Sequence, residues 1–205
     1  MLIQQVRIPV SHGELEGMLQ TGEPEAELAA IVCHPHPLHG GTMHNKVVFH
    51  AAKAFGELGW PVLRFNFRGV GASTGTYGEG IGEQEDARAA LDFLGRENVV
   101  MAGFSFGSVV ALSVGAQDAR APALCGIGVP ADRPLEPVAR STKPKLFVHG
   151  RLDELCPPEA MAHWFETVAE PKRLEWIEGA DHFLTNRAEP LKAAIISYFG
   201  ELRAP

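Results

Sequence analysis

Two hydrophobic rhythms alternate along this chain. Short runs of apolar, β-prone residues recur at Leu28–His34, Trp60–Phe67, Asn98–Ala102, Ala123–Val129, Lys145–Gly150 and Lys172–Glu178. Runs of this length, bounded by Gly, Pro and Asp, predict strands. Between them lie stretches in which apolar residues return every three or four positions, the helical period. Met43–Leu58 carries Val47, Val48, Ala51, Ala54, Phe55 and Leu58 on one side, and Glu83–Leu94 carries Ala87, Ala90, Leu91 and Leu94. Pro158–Ala169 reads as a further helix, and Thr185–Leu202 as a last one with Leu191, Ala194, Ile195, Tyr198, Phe199 and Leu202 facing a core.

Ahead of this alternation, Gln4–Val10 and Glu14–Thr21 read as strands joined by Ser11-His12-Gly13, a hairpin signal. An antiparallel pair followed by alternating strands and helices predicts an α/β fold: a mostly parallel sheet covered by helices on both faces. The length of 205 residues fits one domain over 1–205. The connection Ala131–Pro144, with prolines at 134, 137 and 144, is too short to hold an inserted lid, so the site it borders is expected to be shallow and open.

Composition removes several function classes. Lys and Arg number 18 against 25 Asp and Glu, a net charge of −7, and no basic run stands out. Nucleic-acid binding needs clustered cations for phosphate, so it has no support. The uncharged stretch Val99–Ala116 could catch a hydropathy window, but its glycines and serines fit a buried strand plus a buried helix better than a membrane span. The N-terminal residues show neither a basic nor an apolar leader region. Cys33, Cys125 and Cys156 are odd in number, and two lie in predicted core strands. Free thiols and a cytoplasmic location are expected.

The candidate chemistry centres on Gly103-Phe104-Ser105-Phe106-Gly107. This G-x-S-x-G follows a predicted strand and precedes the small, apolar run Ser108–Val114. That is the context of a nucleophile elbow, a strained turn that lifts a serine hydroxyl above the sheet. A serine needs a base, and the base needs an orienting acid. The chain order in such folds is Ser, acid, His. Asp153 lies in the loop Arg151–Pro157 after one predicted strand, and His182 in Gly179–Phe183 after the next. All three then sit at carboxyl ends of strands, where open α/β sheets place their sites. Glu154 and Asp132 remain alternative acids.

An oxyanion hole needs two backbone donors. Phe106, directly after the nucleophile, supplies one. The loop after Leu28–His34 supplies the other, and since Pro35 and Pro37 have no N–H, the choice is His36 or Leu38, with His36 preferred. Leu38, Phe106, Leu155 and Phe183 are expected against the substrate. The histidines at 34, 36, 39 and 44 lack the carboxylate partners of a binuclear zinc site, and Gly69-Val70-Gly71 lacks the spacing of a dinucleotide loop. No metal and no cofactor are expected.

With elbow, acid loop and histidine loop placed, the chain resembles the α/β-hydrolase superfamily over nearly its whole length. His34–Met43 and Asn66–Ser73 are similar to the corresponding loops of a small, lidless bacterial branch, itself similar to dienelactone hydrolases with Ser in place of Cys. The resemblance implies a serine esterase acting on short-chain carboxylic esters, a small-molecule partner rather than nucleic acid or membrane. Thioesterase or acyltransferase chemistry on the same triad, and a non-catalytic binding protein on the same fold, remain open. An exposed edge strand near Lys172–Glu178 leaves a homodimer open.

Overall fold

The strands predicted from the apolar runs pair into one eight-stranded sheet in the computed structural model, which describes residues 2–132 and 135–202. In chain order they are β1 (Ile3–Val10), β2 (Gly13–Gln20), β3 (Ala29–Cys33), β4 (Val62–Phe65), β5 (Val99–Phe104), β6 (Leu124–Ile127), β7 (Lys145–Gly150) and β8 (Lys172–Ile177). Across the sheet they run β1-β2-β4-β3-β5-β6-β7-β8. The β1–β2 hairpin and the β2–β4 pair are antiparallel, and every later pair is parallel.

Every residue of β3, β5, β6 and β7 is buried. That is why those runs are continuously apolar: a parallel sheet is covered on both faces. One face packs on α1 (Lys46–Glu57) and α6 (Ala188–Phe199), with Val48, Ala51, Phe55, Leu191, Ile195 and Phe199 in one core cluster. The other packs on α2 (Ile81–Leu94), α3 (Phe106–Gln117), α4 (Glu136–Arg140) and α5 (Pro158–Thr167), with Ala90, Leu91, Val110, Val138 and Met161 in a second. Val99–Ala116 is thus β5 and most of α3, buried within the domain, and no helix among the described residues is long and apolar enough to cross a membrane.

The connection after β6 holds a single five-residue helix, α4, among its described residues. Pro134, one of its three prolines, lies outside them. Among the described residues no lid covers the carboxyl ends of the strands, and β8 forms one edge of the sheet.

Three helix starts differ from the periodicity. α1 begins at Lys46 instead of Met43, because the Asn45 side chain accepts the N–H groups of Val47 and Val48 and caps the helix there. α2 begins at Ile81, two residues before the expected Glu83, because the Glu83 carboxylate reaches back to accept the N–H groups of Gly78 and Gly80. A side chain that satisfies exposed donors at a helix start extends the helix toward itself. α6 begins at Ala188 instead of Thr185, because Asp181 accepts both the N–H and the hydroxyl of Thr185 and holds a tight turn there.

Candidate active site

The turn between β5 and α3 holds Ser105 at φ 53°, ψ −123°, a region that a residue with a side chain rarely occupies. Such a conformation costs on the order of 1–3 kcal/mol and persists only where its surroundings enforce it. Here they do. The Ser105 N–H donates to Ile127 O on β6 at 2.9 Å. A Cβ at Gly103 would lie 2.1 Å from Gly107 O, and one at Gly107 would lie 2.3 Å from His34 O. The two glycines of the motif therefore let three pieces of backbone approach closely.

His182 Nε2 lies 3.0 Å from Ser105 Oγ, and His182 Nδ1 lies 2.8 Å from Asp153 Oδ2. A carboxylate only accepts, so the imidazole proton sits on Nδ1, and Nε2 is left to accept from the serine hydroxyl. Asp153 Oδ1 accepts the amides of Leu155 at 3.0 Å and Cys156 at 2.7 Å. Burial alone would raise the Asp153 carboxyl, but the His182 and Cys156 hydrogen bonds outweigh it, and its pKa is lowered. Asp153 and His182 are 2% and 6% exposed, so water hardly screens this chain of bonds. The imidazole packs against Phe104 (5.0 Å between centroids) and Phe183 (5.3 Å). Of the alternative acids, Asp132 and Glu154 make no hydrogen bond to His182.

The loop after β3 borders the serine from the other side. His34 is fully buried; its Nδ1 donates to Pro35 O at 2.7 Å and its Nε2 accepts from the Phe67 amide at 3.0 Å. Both nitrogens are committed to backbone, and burial pushes the ring's pKa down to about 4. His34 is a structural strut between β3 and β4. His36 caps the short 3-10 turn Pro37–His39: its Nδ1 accepts the Leu38 N–H at 3.2 Å. That engages the amide of Leu38. The His36 ring lies 3.2 Å from the Tyr77 hydroxyl and packs on Phe106, 4.8 Å between centroids.

Of the residues expected against the substrate, Leu38, Leu155 and Phe183 are exposed, at 66%, 66% and 55%. The Phe106 ring is buried beside Phe67 and His36. The ligand atoms of Asp153, Cys156 and His182 lie within 4.8 Å of one another, a spacing a metal could use. The oxygens of Asp153 and the Nδ1 of His182 are already joined to each other and to the turn amides, so a cation there would have to break the chain to Ser105.

Two features carried no signal in the sequence. His149, on β7 and 1% exposed, places Nε2 2.7 Å from Cys156 O and 3.5 Å from Asp153 Oδ2, behind the acid. Burial lowers its pKa, so it stands neutral and donates through Nε2, while its buried Nδ1 has no hydrogen-bond partner. The second feature is a cavity of about 560 Å³ between the start of α1 and the loop after β8, with Phe183 as one wall.

Comparison with known proteins agrees with this fold. A family model described as an alpha/beta hydrolase domain matches residues 29–193. An uncharacterized protein of Rickettsia prowazekii (strain Madrid E) is 32% identical over 200 residues, covering 91% of this chain and 84% of its own. The structure of an alpha-beta serine hydrolase homologue from Coxiella burnetii is 36% identical, with a TM-score of 0.89 over 95% of this chain and 96% of that one. An a/b serine hydrolase without lid from Xanthomonas campestris is 34% identical, with a TM-score of 0.89 over 99% and 96%.

Proposed function

The chain belongs to the alpha/beta hydrolase family, in its lidless branch, and from that premise we propose that this hydrolase cleaves short-chain carboxylic esters through an acyl-enzyme intermediate on Ser105. The observation that carries the reading is the unbroken chain of hydrogen bonds from a strained serine through His182 to Asp153, at 3.0 and 2.8 Å.

Ser105 Oγ attacks the ester carbonyl carbon while His182 Nε2 takes its proton. Asp153 fixes the imidazole tautomer and stabilises the imidazolium that forms. The carbonyl oxygen becomes an oxyanion held by the amides of Phe106 and His36, each worth about 3 kcal/mol. Phe106 opens α3, and the first amides of a helix have no partner within it. Collapse of the tetrahedral species breaks the bond to the alcohol oxygen, which receives the proton from His182 Nε2. Water then attacks the acyl-enzyme, His182 takes one of its protons and returns it to Ser105 Oγ, and the carboxylic acid departs.

Ser105→Ala should lower kcat by about 10^6-fold and abolish labelling by a fluorophosphonate probe, with the thermal unfolding temperature little changed. Near-normal turnover of an aryl acetate by that variant excludes the assignment.

A further inference from the structure

The cavity beside Phe183 has a chemical character of its own. Val47, Leu184 and Leu191 line it with apolar surface, and Lys46 and His50 stand in its wall. Lys46 is the first residue of α1, whose first turn holds no acidic residue. A cation there faces the positive end of the helix dipole, where it is disfavoured. Among the described residues its ammonium group makes no hydrogen bond or ion pair. Fold stability therefore gives no reason for a lysine at this position.

The surroundings add to the same sign. Lys46, Lys53 and Lys192 all act on His50, against the single carboxylate of Glu189. Lys192 is itself held by Glu57 and Glu189, each at 3.1 Å, which leaves Lys46 as the uncompensated charge in the cavity wall. His50 Nδ1 is buried without a hydrogen-bond partner. On a chain of net charge −7, the cavity wall carries one ammonium group beside an apolar floor, and the nearby Asp181 carboxylate is taken up by the N–H and hydroxyl of Thr185.

Its position relates it to one half of an ester. The imidazole that takes the serine proton must also deliver it to the leaving oxygen, so the leaving alcohol departs on the His182 side. Phe183 follows His182, packs against its ring and forms a wall of the cavity. Phe183 thus stands between His182 and the cavity, and a volume of about 560 Å³ is that of a small-molecule site.

We propose that this cavity binds the alcohol half of the substrate, and that the alcohol carries a carboxylate received by Lys46 and His50. This rests on the serine-hydrolase reading above and narrows its substrate class to short acyl esters of hydroxy acids. One uncompensated ammonium matches a singly charged group.

The test compares para-acetoxyphenylacetate with its neutral amide, which share acyl group, ring and leaving oxygen. Wild-type kcat/KM should favour the anion by about fivefold, the scale of one partly exposed ion pair, and the preference should shrink as salt rises. Lys46→Ala should bring the ratio to about one and Lys46→Glu should invert it, with the change in KM. Glu suits a helix start, so Lys46→Glu should unfold at a higher temperature than wild type, which separates lost recognition from lost fold. Ala188→Trp, which fills the cavity, should raise KM for both aryl esters. A ratio near one in wild type, or one that Lys46→Ala leaves unmoved, overturns the subsite while fluorophosphonate labelling of Ser105 leaves the hydrolase reading standing. Stronger preference for a carboxylate on the acyl half, as in para-nitrophenyl hemiglutarate, overturns the orientation. Failure of labelling and of turnover with every ester removes the underlying reading instead.

Discussion

Asp153 is held on two sides. Its Oδ1 takes two turn amides and its Oδ2 takes His182, while His149 fastens the same turn by donating to Cys156 O. His149→Phe keeps the ring's volume against Trp176 but removes that donor. It should lower kcat about tenfold to a hundredfold with KM unchanged, the scale for a displaced catalytic group. His149→Gln can place an N–H near the lost Nε2 and should recover most of the rate. Equal losses in both variants would mean that only packing is at stake. His34 makes a different prediction, about stability. Its folded pKa of about 4 lies below the roughly 6.5 of an unfolded histidine. The unfolded state therefore binds the extra proton first as pH falls, and stability present above pH ~6.5 is lost progressively down to about pH 4. The loss should reach about 3 kcal/mol from this residue, visible as a falling urea midpoint. The lowered carboxyl of Asp153 adds a further loss at still lower pH.

The β5–α3 corner shows which elements could be read in advance. G-x-S-x-G between a strand and a helix is a local pattern, because both glycines answer to backbone a few residues or one strand away. Gly107→Ala would drive a Cβ into His34 O at 2.3 Å, where backbone has no room to give. It should cost at least about 3 kcal/mol and most of the activity, measured by chemical denaturation beside an esterase assay. Asp153 and His182 were legible for a related reason: each follows a strand whose apolar run is visible, and strand ends are where such sites collect. The start of α6 was not legible, since Asp181 and Thr185 stop the helix through side-chain bonds while the apolar period continues past them. His149 was hidden because a histidine inside a strand run looks like any half-polar core residue. The cavity was hidden because its walls come from α1, the loop after β8 and α6, far apart in the chain.

At the scale of the molecule, periodicity predicted a layered α/β sheet but not its strand order. The order β2-β4-β3-β5 depends on which helix crosses which face, and that is decided by packing rather than by any single segment. The short connection after β6 is legible, because a lid needs more residues than the run between β6 and β7 holds. With the strand ends uncovered, turnover of para-nitrophenyl esters should peak at short acyl chains and show no jump when the substrate forms micelles. A maximum at long chains, or activation at a lipid surface, would mean that the open side has a covering that the fold does not show.

The hydrogen bond from Ser105 to His182 joins residues 77 positions apart, and the one from His182 to Asp153 joins residues 29 apart. The serine's own twist is clamped by β6 and by the backbone after β3. No short segment of the chain contains the apparatus, and a collapsed intermediate with helices but unsettled strands has no reactive hydroxyl. During refolding, covalent capture of Ser105 should therefore lag behind the return of helical circular dichroism and coincide with the last protection of sheet amides, so that chemistry serves as the clock for the completed molecule.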